Sequence, residues 1–184
     1  DEKRFIDKTK SIRGGIPILF PICGNLDIPN SLFGKNYMQF KQHGFARNLQ
    51  WQYCLNHKKN SLCLTLLDNE ETKKYYPYNF ELTIDISLKI NCLKLEINIQ
   101  NKTNIEMPVN FGLHPYFSIS DFENLDFIDY PLNCQDQQNN FLVNTFDELK
   151  NINKGIDLLM YTSGKSSFRD NLLKRQVTLI HPSP

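Results

Sequence analysis

The stretch FELTIDISLKI, residues 80–90, decides the fold class. Its even positions, Phe80, Leu82, Ile84, Ile86, Leu88 and Ile90, are all apolar, and its odd positions are all polar. A period of two describes the two faces of a strand and not the stripe of a helix, so the segment predicts a long strand buried on one side. After Asn91-Cys92 the apolar set moves to odd positions, Leu93, Leu95, Ile97 and Ile99. A two-residue loop there, setting Ile90 opposite Leu93, keeps both apolar sets on one face of an antiparallel hairpin. Working outward, SLCLTLL at 61–67 alternates in the same way behind a polar turn, His57 to Asn60, and residues 107–113 and 176–181 read as further strands. Helical periodicity is scarce, with Phe141, Leu142, Phe146 and Leu149 marking an amphipathic turn or two. The expected class is all-β, a large antiparallel sandwich rather than a parallel α/β sheet.

Composition supports a packed core. Of 184 residues, 40% are hydrophobic and 12% aromatic, against 22% charged, which excludes disorder as the native state and suits a single domain over residues 1–184. The formal charge of +1 supplies no global field toward nucleic acid or anionic lipid. The longest apolar stretch, Ile16 to Cys23, carries two prolines and falls far short of the roughly 20 residues of a membrane span. No apolar segment follows the charged opening Asp1-Glu2-Lys3-Arg4, so no secretory leader is expected. Five cysteines, at 23, 54, 63, 92 and 134, form no C-x-x-C pair and read as reduced thiols in the cytoplasm. Both ends read as cut: polar residues run at once into a Gly-Pro segment, and the last strand breaks off at His181-Pro182.

Three segments break the alternation and crowd polar and aromatic groups together. In SIRGGIPILFPICGN, residues 11–25, glycines and prolines bend the chain beside Arg13, and the alternatives are a ligand-facing arginine or a plain structural turn. In QHGFAR, residues 42–47, His43 and Arg47 sit four apart with Gln42 before them, and the alternatives are a donor to a hydroxyl beside a guanidinium for an anion, or a histidine satisfied structurally next to an aromatic. In NFGLHPYF, residues 110–117, His114 is locked between Leu113 and Pro115, whose ring pushes the histidine backbone toward an extended conformation. Such restraint suits a general acid.

These segments, in this order, resemble the aldose 1-epimerase (galactose mutarotase-like) superfamily, in its hexose-6-phosphate mutarotase or glucose-6-phosphate 1-epimerase branch. The resemblance is carried by SIRGGIPILFPICGNL (11–26), QHGFARNLQW (42–51), YPYNFEL (76–82) and NFGLHPYF (110–117), with a weaker echo in KGIDLLMY (154–161). It implies a β-supersandwich with a sugar site in an open cleft, and a catalyst that interconverts α and β anomers of a hexose, or hexose 6-phosphate, without metal or organic cofactor. By the same resemblance His114 is the general acid toward the ring oxygen and His43 the second active-site histidine. Arg13 and Arg47 lie at the sugar or phosphate end, Asp157 binds hydroxyls, and Gln42 and Tyr116 join the substrate contacts, with Phe117 a further wall. His57 and His181 are expected to be non-catalytic.

The family's general base is a glutamate near the C-terminus, in a segment expected beyond Pro184. The glutamates present, at 2, 70, 71, 81, 96, 106, 123 and 148, lie in other contexts. The alternative is therefore a non-catalytic carbohydrate-binding or regulatory sandwich that kept the cleft. The expected partner is a small sugar or sugar phosphate, with neither nucleic acid nor membrane, and the expected state a monomer or weak homodimer.

Overall fold

The computed structural model describes residues 14–25, 40–56 and 60–182. The chain divides into two compact units at Tyr116/Phe117. In the first, a four-stranded antiparallel sheet has the order β2-β3-β4-β5, with β2 at Gln52–Asn56, β3 at Ser61–Leu67, β4 at Phe80–Lys89 and β5 at Cys92–Asn101. Beside it in the same unit, β1 (Ile18–Leu19) pairs antiparallel with β6 (Gly112–Leu113). The one α-helical turn described there, α1 at Glu70–Lys73, is capped by Asn69, whose side chain accepts from the Glu71 and Thr72 amides at 2.9 Å each.

The second unit holds two three-stranded antiparallel sheets. One has β8 (Asn133–Asp136) between β9 (Phe141–Asn144) and β10 (Leu158–Leu159), and the other has β11 (Lys165–Asp170) between β7 (Leu125–Ile128) and β12 (Arg175–Ile180). A short helix, α2, spans Thr145–Leu149 under an Asn144 cap. Among the described residues no helix is long and apolar enough to cross a membrane.

The alternating stretch forms β4 as expected, but the turn differs. Leu88 pairs with Leu93 and Lys89 with Cys92, so the loop is Ile90-Asn91 and Ile90, 94% exposed, is not opposite Leu93. The cause is Asn91, which takes the left-handed conformation at φ 57° that asparagine tolerates, leaving Cys92 free to enter the strand. The register moves by two, so the apolar sets still share a face. Residues 107–113 hold only the two residues of β6, and Phe141 and Leu142 lie on a strand with the helix beginning after them. The polar turn expected at His57 to Asn60 lies outside the described residues except for Asn60.

The core of the first unit is built from Phe20, Ala46, Leu66, Tyr76, Tyr78, Phe80, Leu82 and Ile84, all buried. Phe20 sits at its middle with its ring 5.0–5.8 Å from those of Phe45, Tyr76 and Phe80. Full burial of a phenylalanine is worth about 1.5–3 kcal/mol. Its backbone also ties the two motif segments together: the Phe20 carbonyl accepts from the Phe45 and Ala46 amides at 3.0 and 3.3 Å.

Candidate functional site

A cavity of about 710 Å³ in the first unit is lined by parts of three sequence motifs. Residues 14–18 form one side of it. They run antiparallel beside residues 113–116: the His114 amide donates to the Pro17 carbonyl and the Tyr116 amide to the Gly15 carbonyl, both at 3.0 Å, continuing the β1–β6 register. Further along, the Asn110 amide donates to the Pro21 carbonyl at 2.9 Å. This ladder, with Pro115 limiting the backbone, fixes where His114 stands. The Tyr116 ring then stacks on the His114 imidazole, centroids 4.8 Å apart and 28° from parallel.

Residues 42–48 bring the second set. Gly44 bridges to Phe20, and a Cβ on it would lie 2.1 Å from the Phe20 carbonyl oxygen, so only glycine permits this approach at its φ of 72°. The preceding residue, His43, also has a positive φ, 68°, and is pinned at both ends. Its amide donates to the Gly24 carbonyl at 2.8 Å, and its Nδ1 accepts from the Gly24 amide at 2.9 Å. An Nδ1 that accepts a hydrogen bond carries no proton, so the proton of the neutral ring is on Nε2 and His43 is a donor through that atom. The ring lies 6.0 Å from that of His114, centroid to centroid. Burial pushes the His43 pKa below the ordinary histidine value, and the charges of Arg47 and His114 push the same way. Arg47, on the short 3-10 turn Ala46–Asn48, donates from Nη2 to the Gln42 carbonyl at 3.0 Å.

Of the residues expected at the site, Gln42, His43, Arg47, His114 and Tyr116 line this one cavity. Arg13 lies outside the described residues. Asp157 belongs to the second unit and is not among the lining residues; its carbonyl accepts from the Gln137 amide at 2.8 Å. Phe117 also belongs to the second unit, its ring 5.5 Å from that of Phe168. His181 lies near Thr162, with 2.7 Å between Nε2 and Oγ1, and His57 is outside the described residues. Among the described glutamates none lines the cavity. Sequence reasoning missed Trp51, Asn48 and Leu64 as lining residues.

The sequence profile of the aldose 1-epimerase family matches residues 3–179. The chain belongs to that family. Its similarity to individual members is moderate. It is 32% identical over 114 residues to an Escherichia coli protein named "Putative glucose-6-phosphate 1-epimerase", covering 60% of this chain and 34% of the relative. It is 29% identical over 142 residues to the plasmid LacX protein of Lactococcus lactis, covering 73% of this chain and 47% of that one. Among solved structures, a Synechocystis sp. PCC 6803 protein superposes with a TM-score of 0.83 at 31% identity, over 97% of this chain and 63% of its own. A galactose mutarotase related enzyme from Lactobacillus acidophilus gives 0.68 at 27%, over 89% and 61%. The all-β, galactose mutarotase-like fold of this family member follows. The chain spans about a third to a half of the curated relatives and under two thirds of these two structures.

Proposed function

We propose that the protein this chain belongs to is an aldose 1-epimerase, an isomerase that opens the hemiacetal of a hexose, lets the C1 carbonyl turn, and closes it on the other face. The observation that carries this is the placing of His114, His43 and Arg47 around one cavity in a member of this family. In the reaction the ring oxygen gains a proton as O1 loses one, so an acid and a base must act together. His114 is assigned as the acid. An imidazole suits the task because its unperturbed pKa of about 6.5 lets it give and retake a proton near neutral pH. His43, a donor through Nε2, holds a sugar hydroxyl, and Gln42 and Tyr116 complete the contacts. The base is assigned to no residue of this chain; a glutamate of the whole protein is proposed for it on the family resemblance. Asp157 as a hydroxyl ligand, and Phe117, rest on the resemblance alone. A reducing, cytoplasmic setting suits the five free cysteines, and a monomer or weak homodimer is the proposed state.

The preferred substrate is proposed to be a hexose 6-phosphate. Arg47 uses one donor on the Gln42 carbonyl, and a guanidinium has five, so it retains donors for a phosphate while being held in place. Arg13 is proposed as its partner. Hydrogen bonds to charged groups are the strong ones, so Arg47→Ala should lower kcat/KM for glucose 6-phosphate by roughly 10- to 100-fold. The loss for free glucose should be much smaller, and the difference should shrink as salt screens the wild-type advantage. Exchange NMR on both sugars decides it: equal losses, or a wild type preferring the free sugar, remove the phosphate assignment and leave the epimerase reading standing. A protein that binds sugar without speeding exchange would instead be the non-catalytic relative.

A further inference from the structure

Trp51 stands where the second motif segment meets β2, and with Ile16, Pro17, Ile18 and Leu64 it gives the cavity its apolar lining. The indole is held in two ways. Its Nε1–H donates to the Ala46 carbonyl at 2.9 Å, and the residue, partly buried, packs against the core cluster of Phe20 and Phe80. Indole has one N–H donor and no acceptor. With that donor spent on Ala46, Trp51 has no hydrogen bond to offer a sugar hydroxyl, and it lines the cavity as an apolar aromatic ring. A pyranose is the matching ligand. Its hydroxyls project around the rim, where the polar groups of His43, Arg47 and His114 are available, while its C–H bonds gather on a face whose slightly positive hydrogens suit the negative face of an aromatic ring.

We propose that Trp51 is the platform on which a pyranose rests by its C–H face, making it a determinant of selectivity for ring-closed over open-chain sugars. The proposal rests on the reading of this cavity as a sugar site. Both anomers keep the ring face, whereas the ring-opened aldehyde loses it. Trp51 therefore holds the two closed forms alike, and its removal should appear in KM more than in kcat.

The test uses the complete protein and two phosphorylated ligands of the same carbon number, cyclic glucose 6-phosphate and acyclic glucitol 6-phosphate. Affinities are measured by calorimetry and anomer exchange by NMR. Trp51→Leu should weaken glucose 6-phosphate about tenfold and glucitol 6-phosphate by less than about twofold, with Trp51→Phe retaining most of the affinity for the cyclic ligand. Equal losses on both ligands, as a damaged fold would give, or no loss on either, overturn the platform. If the wild type exchanges glucose 6-phosphate and Trp51→Leu binds it normally, the platform alone falls. If the wild type neither binds nor exchanges it, the sugar-site reading falls and takes the platform with it.

Discussion

His43 carries an uncommon backbone for a residue with a side chain, and its ring is held through the same Gly24 that holds its amide. A positive φ outside glycine costs on the order of 1–3 kcal/mol and persists only where neighbours over-determine it. Here that outlay sets which nitrogen bears the proton. Protonating Nδ1 would consume the lone pair that the Gly24 amide uses, so the charged form is disfavoured. Burial, Arg47 and His114 act in the same direction. The sign follows from linkage. The unfolded chain takes up this proton near the ordinary value of about 6.5, the folded chain only at lower pH, so the contribution of a neutral His43 to stability is complete above that value and is lost as pH falls below it. Nitrogen-15 NMR should find the Nε2–H tautomer and a titration midpoint below 6.5 for this histidine; the opposite tautomer, or a midpoint at or above the free value, contradicts the geometry. Both histidines stand out in the sequence because each sits in a segment where alternation stops, while their roles come from the family resemblance. Trp51 was not, since a tryptophan ahead of a strand reads as ordinary core until tertiary contact spends its N–H on Ala46.

At the scale of elements, period-two patterning was a faithful guide to β3 and β4, whose observed limits are Ser61–Leu67 and Phe80–Lys89, although the apolar face is buried only at Leu66 on β3 and from Phe80 to Ile84 on β4. It failed for short strands such as β8, Asn133–Asp136, where polar residues dominate and pairing is set by tertiary neighbours. Turn chemistry was the other weak point. Cysteine at 92 obscured a loop that Asn91 alone specifies through its left-handed φ. Asn91→Gly should therefore be neutral or slightly stabilising, while Asn91→Val should destabilise by about 1–2 kcal/mol in denaturant unfolding, because a β-branched residue resists that conformation. Equal stability of the two variants would contradict the assigned turn. The contact between the motif segments makes a sharper demand. Gly44→Ala would put a methyl group 2.1 Å from the Phe20 carbonyl oxygen at a positive φ, and backbone on both sides leaves little room to yield. A loss of more than about 2 kcal/mol, with collapse of sugar binding, is expected. A variant that unfolds like the wild type would show that the 42–48 segment is not seated on Phe20 in solution.

On the scale of the whole molecule, the all-β class and the family were readable because the motifs are spread along the chain in order, and the profile match over residues 3–179 agrees. Other properties cannot be read from a sequence alone. The boundary between the two compact units falls at Tyr116/Phe117, and nothing in the run HPYFS announces it. Net charge illustrates the limit of global numbers, since +1 overall is compatible with a cavity that gathers Arg47 and two histidines. Function at this scale depends on whether that gathering moves protons. The most direct measurement is α/β exchange of glucose 6-phosphate by NMR, comparing the complete protein with its His114→Ala variant. Because a general acid acts mainly in the transition state, the account predicts a fall in exchange rate on the order of 100-fold or more with KM nearly unchanged. A variant keeping more than about a tenth of the wild-type rate would contradict the role of His114 as the acid.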